Sequence, residues 1–226
     1  SWRCSVCGFE HRGDAPPDAC PVCSVEASLF DAVGGEPAEA PVEERGGVLV
    51  IVGAGIAGTT AAEQARRTDP SLRIVLISGE PVLPYYRLNL TRFLAGEVDE
   101  AALAMCGRRW LDDQGVEWIA GEVVAIHRDE GTLALRDGSR LSYDRLILAT
   151  GAHPFVPPMA GVDLDGVYTL RTLEDAQGIV ERARPGARCV CIGGGLLGLE
   201  TAGALAGRGL TLSVLEGHGW LLPRQL

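Results

Sequence analysis

The chain has 226 residues, of which 46% are hydrophobic and 22% charged, and its formal net charge is −10. This length accommodates one large domain or two small ones, and the composition is that of an ordinary globular protein. The negative charge and the lack of a Lys/Arg stripe argue against a nucleic-acid partner, and no apolar run reaches the ~18–20 residues that span a bilayer, so we expect no membrane association.

Cysteines cluster at the start of the chain. Four of the seven cysteines follow the spacing C-x2-C-x12-C-x2-C, as Cys4, Cys7, Cys20 and Cys23. Two such CxxC turns facing each other form a tetrahedral four-sulfur site, which suits a single iron or a structural zinc, and the spacing alone leaves both open. Because disulfide frameworks spread their cysteines more evenly and no secretory signal precedes them, we place the protein in a reducing cytoplasm.

Residues 1–32 resemble the rubredoxin-like domain found at the C-terminus of rubrerythrins. The resemblance rests on the Trp before the first Cys, the CxxCG turn, the GDAPP turn and the CPVC turn. It implies iron that cycles between its ferric and ferrous states. Ser24 departs from the family, which usually has Gly there, so we expect a costlier backbone conformation or a slightly different turn.

Residues 33–46 are dominated by Gly, Pro, Ala and Glu and are predicted to be a linker. As a flexible coil, a linker of this length spans roughly 20 Å. It would keep the two flanking domains at an effective concentration of about 1 mM.

From Gly47 the sequence predicts alternating strands and helices. Strands are expected at 48–52 and 72–77, with a helix between them that ends near Thr68. Their uninterrupted apolar residues indicate a parallel sheet covered on both faces. The predicted fold class is therefore α/β, with the metal domain (1–32) and linker followed by two Rossmann-like units, at 47–155 and, truncated, at 156–226.

The first glycine-rich turn has the spacing of a dinucleotide fingerprint. Gly53, Gly55 and Gly58 follow a predicted strand and open a predicted helix. The first glycine makes the tight turn, the second lets a pyrophosphate approach, and the third lets the helix pack closely on the strand. Glu80, after the second strand, is the acid expected to bind a ribose.

The same strand, turn, helix and strand recur at 187–216, after short strands at 117–151 with turns at Glu130-Gly131 and Asp137-Gly138. The second fingerprint consists of Gly193, Gly195 and Gly198, and its partner acid is Glu216. A carboxylate there accepts hydrogen bonds from a ribose diol and repels a 2′-phosphate. No arginine follows until Arg224, so we expect NADH and not NADPH.

The stretch from Val48 onward resembles the pyridine-nucleotide-dependent flavoprotein reductases. Within that group it is similar to NADH:rubredoxin reductases, the flavoprotein part of assimilatory nitrite reductases, and ferredoxin reductases. The resembling segments are 50–58, 83–97, 143–161, 167–176 and 191–202. By this resemblance, FAD occupies the first glycine turn and NADH the second.

The resemblance also implies roles for individual residues around the two cofactors. Glu80 and the first turn hold the FAD adenosine and pyrophosphate, while Arg87 and Arg92 lie along the FAD phosphate and the flavin edge. Arg92 stands where relatives often have Lys, which keeps the charge but changes the donor geometry. The remaining implied residues are Val123 at the adenine, Ala149, Thr150 and Gly151 where the chain leaves the FAD domain, and Glu200 near the nicotinamide.

The chain lacks the thiols of related enzyme classes. It has neither the CxxxxC dithiol of glutathione-reductase relatives nor the single Cys that NADH oxidases and peroxidases carry in the 88–96 region. We therefore expect hydride to pass from NADH to FAD, and single electrons to pass to the iron on the same chain. A downstream electron-acceptor protein would follow, such as a diiron protein that reduces peroxide, oxygen or nitric oxide.

Two other functions are compatible with the sequence. In one, the chain is part of a ferredoxin- or nitrite-reductase flavoprotein whose metal domain is only a docking or structural module. In the other, a metal-ribbon interaction module is attached to an inactive fragment. The chain ends just after the second strand of the NADH unit, so we expect that unit to have one apolar edge and one apolar face uncovered. We therefore expect these 226 residues alone to keep a folded metal domain while the rest binds FAD weakly or aggregates, and the activity to belong to a longer parent protein.

Overall fold

The computed structural model describes residues 1–6, 9–32 and 46–222. The chain forms two compact units, Ser1–Arg45 and Gly46–Leu226. Cys7 and, apart from Gly46, the predicted linker lie outside the described residues. Within the described residues, no helix is both long and apolar enough to cross a membrane.

The N-terminal unit is built on a small antiparallel sheet. Strand β1 (Trp2–Cys4) lies between β2 (Glu10–His11) and β3 (Phe30–Ala32), and a short 3-10 helix at Ala27–Leu29 leads into β3. Its buried core consists of Cys4, Cys20 and Phe30. A domain this small needs a disulfide or a metal to hold it together, which gives its cysteines a structural role as well.

The larger unit is mixed α/β, as the sequence predicts. In chain order its elements are β4 (Val48–Val52), α1 (Ile56–Thr68), β5 (Arg73–Ser78), a 3-10 helix (Arg87–Asn89), α2 (Leu90–Ala95), α3 (Glu100–Leu103), α4 (Arg108–Asp113), β6 (Val116–Ala120), β7 (Val123–His127), β8 (Thr132–Leu135), β9 (Arg140–Ser142), β10 (Arg145–Leu148), α5 (Leu173–Arg182), β11 (Arg188–Ile192), α6 (Leu196–Gly207) and β12 (Thr211–Leu215).

A four-stranded parallel sheet, ordered β10-β4-β5-β6, forms the centre of this unit. Because successive side chains of a strand point to opposite faces, Leu49 and Ile51 pack with the apolar residues of α1 and α4. Val50 packs instead with Leu133 of the antiparallel sheet β7-β8-β9. The predicted parallel sheet, covered on both faces, is confirmed for β4 and β5.

Strands β11 and β12 form a separate two-stranded parallel sheet. Here burial alternates along each strand, because α6 packs against only one face. On the other face Val190, Ile192 and Leu215 are exposed. The predicted repeat of strand, turn, helix and strand is present, but its strands are half-covered, unlike those of the first repeat.

Helix α6 packs against α2, which brings the second glycine turn close to the segment that follows the first repeat. Arg208, just after α6, donates hydrogen bonds to the carbonyl oxygens of Leu94 and Phe93 at the end of α2. The Phe93 carbonyl also accepts from the amide of Gly96, the C-cap of α2, so the guanidinium adds to the cap and joins α2 to the end of α6.

Helix α5 begins with a side-chain cap. The Thr172 hydroxyl accepts a hydrogen bond from the Asp175 amide, and the Asp175 carboxylate accepts one from the Thr172 amide. This reciprocal capping box satisfies two otherwise unpaired amides of the first helical turn.

Candidate functional site

Three cysteine sulfurs of the N-terminal unit converge on one point. The sulfurs of Cys4, Cys20 and Cys23 all lie within 4.8 Å of one another, and those of Cys4 and Cys23 are 3.6 Å apart. Sulfurs around a tetrahedral metal at ~2.3 Å from each lie about 3.8 Å apart, whereas a disulfide requires about 2.05 Å. The spacing therefore fits a bound metal. The predicted fourth ligand, Cys7, lies outside the described residues.

The second cysteine turn is a tight loop held by its own backbone. The Cys20 amide donates to the Val25 carbonyl and the Ser24 amide donates to the Cys20 carbonyl, each at 2.8 Å. Ser24 has φ of 61°, in the left-handed region that favours glycine. Of the two alternatives expected for Ser24, the structure has the costlier backbone conformation.

In the first glycine turn, two of the three glycines are required by contacts within the protein. A methyl carbon on Gly53 would lie 2.1 Å from the Ala149 carbonyl oxygen, and one on Gly58 would lie 1.8 Å from the Gly53 carbonyl oxygen. A methyl on Gly55 would meet no atom within 4 Å. Gly55 caps α1 without a side-chain hydrogen bond, so the amides of the first turn are available to an anion.

The second glycine turn repeats this arrangement. A methyl carbon on Gly198 would lie 2.0 Å from the Gly193 carbonyl oxygen, whereas one on Gly195 would meet nothing within 4 Å. Gly195 caps α6 without a side-chain hydrogen bond. Each turn therefore has a middle glycine with open space above it, directly at a helix N-terminus.

Glu216 lies beside the second turn. Its carboxylate accepts hydrogen bonds from the amides of Gly194, at 2.7 Å, and His218, at 2.9 Å. Donation by these amides, first His218 and then Gly194, lowers the pKa of Glu216 below its usual range. The carboxylate is therefore ionised near neutral pH and is placed at the end of β12, where the sequence predicts a ribose acid.

Glu80 lies in a network of polar side chains after β5. Its two carboxylate oxygens accept hydrogen bonds from Arg87, at 2.6 Å, and from the Tyr85 hydroxyl, at 2.7 Å. The structure thus brings together the predicted ribose acid and the predicted phosphate-binding arginine. Tyr85 was missed by sequence reasoning, because Tyr85 and Tyr86 are adjacent and nothing in the sequence separates the buried one from the exposed one.

The predicted residues of the flavin and nicotinamide region lie on the facing helices α2 and α6. Arg92 pairs with Glu97 at 3.0 Å, and both side chains are exposed. Glu200 is also exposed, and its carboxylate accepts a hydrogen bond from the Thr91 hydroxyl at 3.2 Å. The two predicted residues therefore project from helices that pack together, each with a different partner.

The predicted Ala149-Thr150-Gly151 turn lies directly beside the first fingerprint. The Ala149 amide donates to the Val52 carbonyl at 2.7 Å. A methyl carbon on Gly151 would lie 2.7 Å from Nη2 of Arg171, a half-buried residue whose guanidinium has no ion pair among the described residues. Sequence reasoning did not single out Arg171.

Val123, predicted at the adenine, starts β7 and packs on the central sheet.

Family comparisons divide the chain in two. The model of the pyridine nucleotide-disulphide oxidoreductases matches residues 48–226, and that of the rubredoxin-like domain of rubrerythrin matches residues 2–31. Both resemblances drawn from the sequence are confirmed.

Individual relatives are named as reductases. A probable ferredoxin reductase, CtmF of Castellaniella defragrans, is 37% identical over 74% of this chain and 42% of its own length. The large subunit of nitrite reductase [NAD(P)H] of Klebsiella oxytoca is 40% identical over 79% of this chain and 19% of its own length. The chain thus spans less than half of either relative.

Solved structures of the same kind share the fold. The structure of the putidaredoxin reductase–putidaredoxin complex matches with a TM-score of 0.72 and 33% identity, over 79% of this chain and 44% of that one. NADH:rubredoxin oxidoreductase of Clostridium acetobutylicum matches with a TM-score of 0.69 and 28% identity, over 80% of this chain and 47% of that one.

Proposed function

Because the chain belongs, over residues 48–226, to the pyridine nucleotide-disulphide oxidoreductase family, we propose that it carries electrons from NADH through FAD to an iron centre in its own N-terminal unit. A separate electron-acceptor protein then reoxidises the iron. The observation that carries the proposal is the repeated glycine turn, since Gly55 and Gly195 both leave space at a helix N-terminus that no atom of the described residues fills. Each turn has an acid nearby, Glu80 and Glu216 respectively.

The residues of the first turn fit FAD. The open N-terminus of α1 offers amides to a pyrophosphate, and Glu80 offers a carboxylate to a ribose. Arg87 and Arg92 supply positive charge to the phosphate and the flavin edge. When bound, FAD would supply the chemistry that couples a two-electron hydride donor to a one-electron acceptor.

The residues of the second turn fit NADH. Gly195 leaves room for a pyrophosphate at the start of α6, and the ionised Glu216 accepts hydrogen bonds from the ribose diol. Glu200, four residues along the helix from Leu196, is the residue proposed to lie near the nicotinamide, held by Thr91. Exclusion of the 2′-phosphate by Glu216 sets the preference for NADH.

The thiols of the larger unit support electron transfer without a protein disulfide. Cys189 and Cys191 are half-buried in β11, where the Cys191 thiol donates a hydrogen bond to the Gly198 carbonyl at 3.3 Å. Burial raises the pKa of both thiols, and of Cys106, so they are protonated near neutral pH. Thiols in that state are poor nucleophiles, and the three residues are not proposed to react.

We expect the metal of the N-terminal unit to be iron, because a redox-active centre is the natural acceptor for a flavin that has no dithiol partner. Protein purified from iron-replete cells should be red and should bleach on reduction, with about one iron per chain by metal analysis. Stoichiometric zinc with a flavin spectrum alone would contradict the iron proposal and favour the alternative in which the metal unit serves only for docking.

We expect replacement of Glu216 by Ala to weaken NADH binding about tenfold and to leave NADPH binding unchanged or improved. The variant loses hydrogen bonds to the ribose diol but also the repulsion of the 2′-phosphate. Fluorescence titration gives both dissociation constants, and Glu181→Ala, at an exposed position of α5, is the matched control. Tighter binding of NADPH than of NADH by the unmodified protein would show that the role of Glu216 is wrong.

A further inference from the structure

We propose that Tyr85 is a positioning residue of the FAD site, which holds the carboxylate of Glu80 for the adenosine ribose. This inference rests on the proposed FAD site and adds a residue to it. Tyr85 does not contact the cofactor in this proposal; it acts through Glu80 and Arg87.

The contacts of the Tyr85 hydroxyl carry the inference. It donates to Glu80 at 2.7 Å and accepts from Arg87 Nη1 at 3.0 Å and from the Leu173 amide at 3.0 Å. All three positions a phenol oxygen offers, one proton and two lone pairs, are therefore used. A hydroxyl with this set of partners fixes the relative positions of an acid, an arginine and a helix N-terminus.

The geometry of Glu80 depends on this hydroxyl. Tyr85 and Arg87 bind different carboxylate oxygens, Oε2 and Oε1, so together they fix the plane of the carboxylate. Each oxygen keeps a second lone pair, which leaves Glu80 able to accept from a ribose diol. Without the hydroxyl, Arg87 alone holds Glu80, and the carboxylate can rotate about that single contact.

The surroundings of Tyr85 keep its hydroxyl protonated. The side chain is 8% exposed, and burial, followed by the hydrogen bond to Glu80, raises the pKa of Tyr85 above its usual value. The hydroxyl therefore remains a donor to Glu80 throughout the pH range of ordinary binding assays. Arg87 Nη1, the nitrogen that donates to Tyr85, also donates a hydrogen bond to the Arg171 carbonyl, just before α5.

The neighbouring Tyr86 provides a matched control. It is 43% exposed, and its hydroxyl has no hydrogen bond among the described residues. Tyr85→Phe and Tyr86→Phe each remove one oxygen from adjacent positions of the same loop. The oxygen removed by Tyr85→Phe bonds to Glu80, Arg87 and the Leu173 amide, whereas the oxygen removed by Tyr86→Phe has no such partners among the described residues.

The test compares FAD with FMN, which lacks the adenosine, by titration of flavin fluorescence. We expect Tyr85→Phe to raise the dissociation constant of FAD about tenfold and that of FMN less than twofold, while Tyr86→Phe changes neither beyond twofold. A merely structural role of Tyr85 would weaken both flavins alike. Equal loss of FAD and FMN affinity, or no loss of FAD affinity, would overturn the inference.

A double-mutant cycle tests whether Tyr85 acts through Glu80. In protein that already carries Glu80→Gln, adding Tyr85→Phe should raise the FAD dissociation constant by less than twofold, because the group it positions has been changed. Fully additive losses would overturn the positioning role. If the unmodified protein binds FAD no more tightly than FMN, the proposed FAD site is wrong, and so is this inference. If Tyr85→Phe still binds FAD more tightly than FMN by the same factor as the unmodified protein, only the role of Tyr85 is wrong.

Discussion

Replacing Gly58 with Ala is expected to destabilise the larger unit by about 3 kcal/mol or more and to abolish FAD binding. The added methyl would lie 1.8 Å from the Gly53 carbonyl oxygen, a backbone atom that cannot rotate away. Helix α1 would have to move off β4, and its N-terminus would move with it. Urea unfolding followed by fluorescence of Trp110 and Trp118, in the same unit, measures the loss.

Replacing Gly55 with Ala separates packing from ligand binding. Within the part of the chain that the structure describes, the added methyl would meet nothing within 4 Å, so the free energy of unfolding should fall by less than about 1 kcal/mol, the cost of Ala at a helix N-cap. FAD affinity should nevertheless drop at least tenfold, because the methyl occupies the approach to the α1 amides. FAD affinity unchanged in Gly55→Ala would contradict a phosphate site at this turn.

Much of this architecture was accessible from local patterns. The strand predicted at 48–52 is β4, the predicted helix ends at Thr68, and both glycine turns lie between strand and helix. These features depend on residues close in sequence: uninterrupted apolar strands, glycine spacing, and a Thr-x-x-Asp cap. Local physics determines them before any long-range contact forms.

The sequences of the strands themselves do not show how many faces of each repeat are covered. VLVIV and RCVCI are both apolar strands, yet β4 is buried on both faces while β11 exposes Val190 and Ile192. The number of covered faces of a strand depends on which other elements pack against it. Here an antiparallel sheet packs against the first repeat only. An apolar run predicts a strand but not its number of covered faces.

The polar network around Glu80 was beyond sequence reasoning for a similar reason. The Tyr85 hydroxyl meets the amide of Leu173, 88 residues away along the chain. Arg208 reaches carbonyls at the end of α2, more than 100 residues away. Sequence patterns predict the acid and the arginine from their spacing, but two further partners of the network, the Leu173 amide and the Arg171 carbonyl, come from a distant segment.

A single substitution in the N-terminal unit tests whether the metal centre is the electron acceptor. Cys20→Ala removes a buried sulfur of the three that converge and supplies no ligand atom in its place, so the metal should be lost. The larger unit should still bind FAD, because it has its own core. Cys106→Ala, outside the cluster, is the matched control and should retain both metal and flavin.

The most direct test is anaerobic addition of NADH to the iron- and FAD-loaded protein, with absorption followed in time. We expect both the flavin band and the ferric-thiolate band to bleach. The rate constant for reduction of the iron should not depend on protein concentration, because donor and acceptor are on one chain. In Cys20→Ala, NADH should bleach the flavin band alone. Reduced flavin with iron that stays ferric in the unmodified protein would contradict electron transfer from NADH through FAD to the N-terminal metal centre.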